Sequence, residues 1–448
     1  MAIIRLNPFS MPKVSPAKIL PGGFALLILL GAVLLTLPAS THTGSLSFLD
    51  ALFTATSAVC VTGLVVVDTG TYFTRFGQTV IMLLIQVGGL GIMTAATLIF
   101  ILLGKKITLR ERLVIQESLN QITMQGLVRL AYTLVLLTLT VQGIGAVLLA
   151  TRFVPLYGFS TGLFYAVFHA VSAFCNAGFD LFGGFRSLES FAQDPLIPTT
   201  IAILLILGGL GFTVLLEVYQ CRRFARLSLH AKMALVVTVL LLLSGTLMIL
   251  LLEYSNPETL GRFNFGGKLY HAFFTAATPR TAGFHTVPTG LLTQATLFFT
   301  IVLMFIGASP AGTGGGIKTT TFGTIVIAVI SMVRGDEEST MFKKRIPGDL
   351  LVKALSVVMF SLSLILLVTL ILTVTEQKPL LDILFETTSA FATVGLSTGV
   401  TPDLSPIGRV LIIITMFIGR VGPLTLVFAL AHPRKKPFRY MSERIMIG

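Results

Sequence analysis

The chain has 448 residues, 54% of them hydrophobic and only 11% charged, with a mean hydropathy of +0.91. A soluble domain of this size carries about twice that charge, so the composition excludes an ordinary water-soluble fold and fits a polytopic membrane protein. The net charge of +13 would suit nucleic acid in a soluble protein, but here the Lys/Arg clusters fall on alternate loops, the asymmetry expected of a cytoplasmic face.

The N-terminal stretch "MAIIRLNPFSMPKVSPAKILPGG" is basic and runs into apolar sequence without a small-residue cleavage site, which predicts a cytoplasmic start and no cleaved signal. Apolar spans follow at 19–39 and 77–103, 128–151 and 196–220, 231–252 and 291–333, and 351–374 and 406–431. Basic clusters separate them: Lys105, Lys106, Arg110 and Arg112; Arg222, Arg223, Arg226 and Lys232; Lys343, Lys344 and Arg345; and the tail from Arg434 to Arg439. The three cysteines, Cys60, Cys175 and Cys221, form no CxxC pair and read as small packing residues.

Within each pair of spans lies one member of an internal repeat: "LDALFTATSAVCVTGL" (49–64), "FYAVFHAVSAFCNAGF" (164–179), "LYHAFFTAATPRTAGF" (269–284) and "LDILFETTSAFATVGL" (381–396). Aligned without gaps, they share a Phe (Phe53, Phe168, Phe273, Phe385) and a Gly (Gly63, Gly178, Gly283, Gly395). Each is too short to cross hydrocarbon. A short helix followed by extended backbone at membrane depth is tolerated only inside protein or beside water. The expected unit is therefore helix, re-entrant pore helix, glycine loop, helix. Asp50 and Asp382 stand near the start of their short helices, where a carboxylate complements the helix dipole. The opposite, negative helix ends face the glycine loops and favour a cation.

Backbone carbonyls can replace the hydration shell of K⁺, and glycine adopts the left-handed backbone that turns them inward. The triplets Val61-Thr62-Gly63, Asn176-Ala177-Gly178, Thr281-Ala282-Gly283 and Thr393-Val394-Gly395 are the candidate filter, with K⁺ as the ion. His169, His271, Thr275 and Glu386 lie on the pore helices and read as hydrogen-bonding braces.

The last span of the third repeat, 291–333, would be about 65 Å long as one helix, roughly twice the hydrocarbon thickness. It must be broken at "GASPAGTGGGIKTTTFG" (307–323), leaving helices over 291–306 and 322–333. Ile317 separates Gly316 from Lys318, so the stretch fails as a phosphate-binding P-loop. It reads as an intramembrane gate over 307–321, with Gly312, Thr313, Gly314, Gly315, Gly316 and Lys318 as its working residues. The rival reading is an inert hinge. Arg420, an ionisable residue inside a span, is expected to touch this loop from below the filter; pairing with Glu217 or with carbonyl ends is the alternative.

Four such units in one chain, each with one filter glycine, together with "FIGRVGPLT" near the end and the absence of two additional N-terminal helices, resemble the Trk/Ktr/HKT superfamily of cation transporters. The similarity is greatest to the membrane subunits (KtrB type) of bacterial Ktr potassium uptake systems. That resemblance implies an all-α fold with four helix–pore-helix–filter-loop–helix repeats, fourfold pseudosymmetric about one central pore. It also implies a homodimer with one pore per protomer, in the bacterial cell membrane, with both termini cytoplasmic. A cytoplasmic RCK ring of the KtrA type, binding adenine nucleotides, is the implied regulator. Glycine in all four loops is the family pattern for K⁺; Na⁺ as activator stays open, and no organic cofactor is expected. Pro279–Arg280 before the third filter is the departure from pattern, with a charge either near the path or turned outward behind it.

The expected division is repeat 1 over 1–104, a cytoplasmic linker over 105–127, repeat 2 over 128–221, repeat 3 over 222–335, a second linker over 336–350, repeat 4 over 351–432 and a tail over 433–448. The inner-face segments 105–126, 221–232, 334–349 and 432–448 are the expected contacts of a regulatory partner and of anionic lipid. An obligatorily coupled Na⁺/K⁺ or H⁺/K⁺ symporter is the runner-up, although the sequence shows no paired intramembrane carboxylates. A membrane-embedded enzyme would need a cluster of reacting groups at one depth; none is evident, so no enzymatic activity is expected.

Overall fold

The computed structural model describes residues 16–91 and 127–422. The expected surface helix in 105–126, the second half of the span 77–103, residues 423–431 of the last span and the tail lie outside the described residues. What is described is helical, apart from one two-stranded hairpin.

The first repeat contributes α1 (Pro16–Leu35), α2 (Phe48–Cys60) and α3 (Arg75–Leu90). The second contributes α4 (Leu127–Tyr157), α5 (Phe159–Phe174), α6 (Leu196–Leu210) and α7 (Phe212–Cys221). The third contributes α8 (Leu229–Glu253), α9 (Phe265–Ala277), α10 (Gln294–Phe305) and α11 (Thr319–Arg334), followed by the hairpin β1 (Thr340–Met341) and β2 (Lys344–Arg345). The fourth contributes α12 (Gly348–Thr375), α13 (Leu380–Ala392) and α14 (Pro406–Val421).

The short helices start where sequence chemistry demands. Ser47 caps α2 by accepting from Asp50 N at 3.1 Å and donates to the Asp50 carboxylate at 2.8 Å, satisfying otherwise orphaned N-terminal groups. Asn264 caps α9 and Ser405 caps α14, where Pro406 occupies the first turn at no hydrogen-bonding cost. The outer helices reach over to help. Glu253, closing α8, accepts from the N–H and hydroxyl of Thr293, the cap of α10, each at 2.8 Å. Glu376, just past α12, holds Ser405 in the same way, with bonds of 3.1 and 2.5 Å.

Polarity is arranged as a bilayer requires. Among the described residues, Ala131–Tyr157, Leu229–Glu253 and Gly348–Thr375 are long and apolar enough to cross a membrane. Their outward faces carry exposed Leu243, Leu251 and Val374. The short helices are the buried ones, and their buried side chains include Thr56, Ser57, His169, Ser172, Thr387 and Ser389 beside the phenylalanines. Each packs on the long helix before it, α2 on α1, α5 on α4, α9 on α8 and α13 on α12, and α14 also packs on α2. Asp50 closes that last contact through an ion pair of 2.5 Å with Arg409 of α14.

Three findings correct the sequence expectations. The span 196–220 is not one helix: α6 and α7 meet at 95° across Gly211. The third repeat does break where expected, but its second half-helix starts at Thr319 rather than 322, so Thr319, Thr320 and Thr321 belong to a helix and not to the loop. Finally α3 and α14 end on Gly91 and Gly422, whose dihedrals (φ 84, ψ 134 and φ 91, ψ 131) match those of Gly211 (φ 90, ψ 137). Such backbone belongs to glycine, because a Cβ would clash with its own carbonyl.

Candidate functional site

The four triplets follow the ends of α2, α5, α9 and α13 and share one backbone pattern. The first residue is left-handed in each, with φ of 58 at Val61, 59 at Asn176, 71 at Thr281 and 51 at Thr393. The glycine is left-handed too, with φ of 93 at Gly63, 70 at Gly178, 77 at Gly283 and 88 at Gly395. Left-handed backbone at a non-glycine residue is uncommon, and the same strain at four matching positions marks a site held in place by its surroundings. The restraint is visible: Thr62 N, Ala177 N and Val394 N donate back to Ser57 O, Ser172 O and Ser389 O at 2.8, 2.7 and 2.9 Å. The Ser57 and Ser389 hydroxyls accept from Gly63 N and Gly395 N at 3.0 and 3.1 Å. In the third repeat the hydroxyl comes one residue later: Thr278 Oγ1 donates to Phe284 O at 2.5 Å, as Ser172 Oγ does to Phe179 O at 2.7 Å.

The loops touch in cyclic order. A Cβ on Gly178 would lie 2.9 Å from Ala282 O, and one on Gly283 would lie 2.7 Å from Val394 O. A Cβ on Gly63 would strike Ala177 O, and one on Gly395 would strike Thr62 O. Each glycine thus abuts the carbonyl of the next loop, and the fourth closes on the first. Any side chain here would push carbonyls out of register.

On one side of this ring lies a cavity of about 290 Å³, lined by the four glycines and by Asp68, Asp180, Glu189 and His285. Burial pushes the Asp180 carboxyl up to about 6, against the Phe182 N–H and His285, which hold it down, while Asp68 raises it further. His285 faces Glu189 at 3.3 Å.

On the other side the ring is covered by the loop between α10 and α11. A Cβ at Gly314 would overlap Thr281 Oγ1, and one at Gly315 would overlap Thr393 Oγ1. The loop is fastened to the α6–α7 break: Ser309 N donates to Gly209 O at 2.9 Å, Thr313 N to Gly208 O at 3.2 Å and Phe212 N to Ala311 O at 3.0 Å. Thr313 Oγ1 donates to Phe174 O, the last residue of α5, at 3.2 Å. It also closes on itself through Gly307 N to Ile317 O at 2.9 Å and Ser309 Oγ with Thr319 Oγ1 at 2.9 Å. Gly312 and Gly316 line these turns, Gly316 with φ 68.

Arg420 of α14 donates to Thr313 O in the loop and to Gly88 O of α3 at 2.5 Å. It therefore joins the loop of the third repeat to the first repeat. Glu217, its alternative partner, is occupied by Ser228, whose N–H and hydroxyl both bond its carboxylate. Lys318 folds back to donate to Gly314 O at 2.7 Å within its own loop. Arg280 turns outward behind the ring, 6% exposed, and donates to Thr238 of α8 at 3.0 Å. Asn176, oriented so that both amide ends are satisfied, donates to Leu205 O (3.0 Å) and Ala173 O (3.1 Å) and accepts from Thr281 Oγ1 at 3.2 Å, tying two triplets together.

Three of the four polar residues singled out on the short helices act as braces. His169 accepts from Leu181 N at 3.3 Å, His271 pairs with Thr286 Oγ1 at 3.0 Å, and Glu386 accepts from Thr398 N at 3.2 Å and from Thr401 Oγ1 at 2.8 Å. No hydrogen bond from Thr275 enters this set. Sequence reasoning missed Gly88, Gly208 and Gly419, where a Cβ would strike Val59 O, Phe174 O and Phe391 O near the ends of the pore helices. The signal was present in "VGGLG" (87–91), "LGGLG" (207–211) and "IGRVG" (418–422). It also missed the acidic cavity lining.

Comparison with known proteins agrees with this architecture. The family described as TrkH, cation transport protein, matches residues 27–440. The chain is 50% identical to Ktr system potassium uptake protein B of Bacillus subtilis (strain 168), over 97% of both chains. It is 44% identical to the protein of that name from Vibrio alginolyticus, covering 94% of this chain and 92% of the other, and 41% identical to the potassium/sodium uptake protein NtpJ of Enterococcus hirae, covering 97% and 98%. The crystal structure of the potassium transporter TrkH from Vibrio parahaemolyticus superposes with a TM-score of 0.74 at 17% identity, over 95% of this chain and 87% of that one, which establishes a shared fold. The chain belongs to the TrkH family of cation transport proteins.

Proposed function

We propose that this chain is the K⁺-conducting membrane subunit of a bacterial potassium uptake system, with a fourfold pseudosymmetric pore passing through the ring of four glycine loops. The single observation that carries this reading is that ring, in which each glycine abuts the carbonyl of the next loop. A left-handed residue on each side of an ordinary one turns successive carbonyls toward a common axis. There they exchange for the ion's water ligands, aided by the negative ends of four pore helices. Val61-Thr62-Gly63, Asn176-Ala177-Gly178, Thr281-Ala282-Gly283 and Thr393-Val394-Gly395 then form the filter, and the acidic cavity is its outer vestibule.

The loop of residues 307–318, which covers the ring, is the gate, with Gly312 to Gly316 giving it its mobility. Arg420 and Lys318 hold it shut through the carbonyls of Thr313, Gly88 and Gly314. Its position directly beneath Thr281 and Thr393 supports a plug over an inert hinge. The names of the relatives support potassium as cargo, with sodium as a second ion or activator. The positive-inside asymmetry supports cytoplasmic termini and a cell-membrane location, with the four repeats dividing the chain as read from the sequence. The phrase "Ktr system" supports a regulatory partner. We infer a homodimer on an RCK-type ring binding adenine nucleotides, touching the basic inner face.

The test is K⁺-limited growth of an uptake-deficient bacterium carrying this chain with a Ktr-type regulatory subunit, with and without Na⁺. Growth at micromolar K⁺ is expected; failure in every combination would overturn the reading.

A further inference from the structure

At the inner end of the third repeat, an exposed aromatic and basic platform has no role in the pore. The hairpin β1–β2 turns through Phe342 and Lys343, both left-handed, with φ of 50 and 61. A two-residue hairpin turn of this kind normally takes Asn and Gly, because other side chains strain there. Phe342 is nevertheless 41% exposed and meets the exposed ring of Phe224 edge-on, with centroids 5.9 Å apart. Lys232 Nζ stands 5.8 Å from one ring and 5.5 Å from the other while donating to Ala225 O at 2.8 Å. Lys343 and Lys344 extend from the tip into the open, and Arg223 flanks Phe224. The neighbouring acids Asp336, Glu337 and Glu338 lie before the hairpin, and Glu338 is paired with Arg345 at 3.0 Å. The platform itself is therefore cationic and apolar at once.

We propose that this platform binds the headgroup of an anionic phospholipid of the inner leaflet. Aromatic rings such as these settle between acyl chain and headgroup, and the lysines supply the charge that draws anionic lipid. The 95° bend at Gly211 brings α7 across the direction of α6 rather than along it, and α7, with Val218 and Tyr219 exposed, ends at Cys221, shortly before Phe224 in the chain. The hairpin is anchored, because Ile346 packs with Met233 and Val237 of α8, and it hangs from α11, the half-helix that begins at the loop. A headgroup held here bears on α11, which begins where the 307–318 loop ends. The inference goes beyond the proposed conduction pathway and borrows from it only the inward orientation of this face.

The experiment uses the full chain in neutral detergent, titrated with phosphatidylglycerol or phosphatidylcholine and read by native mass spectrometry. Phosphatidylglycerol is expected to be retained in preference. The K343Q/K344Q double variant should weaken that retention by about fivefold per charge removed. Phe342→Asn, which suits the turn and relieves its strain, should weaken retention without lowering the melting temperature. Equal retention of the two lipids by the wild type, or unchanged phosphatidylglycerol retention in both variants, overturns the proposal. So does a double variant that keeps its lipid but loses its cytoplasmic partner, since the platform would then be a protein dock.

Discussion

Replacing Arg420 by Ala tests the proposed gate most directly. The guanidinium makes two charge-assisted hydrogen bonds, to Thr313 O and to Gly88 O. Each such bond contributes roughly 1.5–3 kcal/mol. Only the bond to Thr313 O holds the loop, and the low end applies because removing the side chain also relieves the cost of burying a charge, which leaves about 1.5 kcal/mol. The loop keeps its other fastenings to Gly208, Gly209, Phe212 and Phe174, so the variant should fold with the loop in place but less firmly held. A loss of about 1.5 kcal/mol from the closed state shifts a closed-to-open ratio by roughly 13-fold. If the open state is about 1% populated in the wild type, the variant should be open about a tenth of the time. Rb⁺ flux into proteoliposomes made without any regulatory subunit measures this, and a rise of about tenfold is expected. Arg420→Lys, which reaches one carbonyl at a time, should fall between. Flux unchanged in the Ala variant, with unchanged response to a regulatory subunit, would refute the view that this arginine holds the loop.

Three further outcomes follow from the same geometry. Gly283→Ala puts a methyl 2.7 Å from Val394 O and should cut K⁺ uptake by at least an order of magnitude, or abolish K⁺/Na⁺ discrimination, while leaving the detergent-solubilised protein folded by thermal unfolding. Asp50→Asn breaks the 2.5 Å pair with Arg409, whose partners are 17% and 23% exposed, and weakens the dipole contact at α2. The loss should be about 1–3 kcal/mol, read as a lowered melting temperature with normal flux in the surviving protein. Asp180, raised to about 6 by burial, titrates in the cavity beside the ring. Its folded value lies above the unfolded one near 3.8, so it costs the fold stability as pH rises from about 4 to 6, and Asp180→Asn should flatten that part of the stability curve. Because the carboxylate form attracts cations, uptake should fall as external pH drops through 6, and the Asn variant should lose that dependence.

The parts of this molecule legible in the sequence are those whose physics is local or repeated. A 16-residue element too short to span, found four times, announces buried helices and glycine loops, because hydrocarbon forbids any other placement. The length of 291–333 likewise demands a break, whatever the rest of the chain does. Residue identity at Arg420 marks it as costly and therefore employed, but its partners lie 107 and 332 positions away, and nothing in either neighbourhood names them. The same holds for Arg280. Its neighbours in sequence place it beside the filter, and only the packing of α8 turns it to Thr238.

The breaks at Gly91, Gly211 and Gly422 were missed for a different reason. Hydropathy runs through them unbroken, so a length argument sees one span where, at Gly211, the backbone turns at 95°. What sets these glycines apart is close approach. Gly88, Gly208 and Gly419, three residues earlier, lie where a Cβ would strike Val59 O, Phe174 O and Phe391 O near the ends of three pore helices. Removing the Cβ there lets each inner helix run hard against the short helix it supports, and at Gly211 the turn three residues on carries α7 off at 95°. In the third repeat the chain does not turn away. It spends the extra residues 306–318 against the glycine ring instead, with Thr313 bonded to Phe174 O and Gly208 O. One repeat thus lengthens the break into a loop that covers the ring, which is the geometry the proposed gate requires.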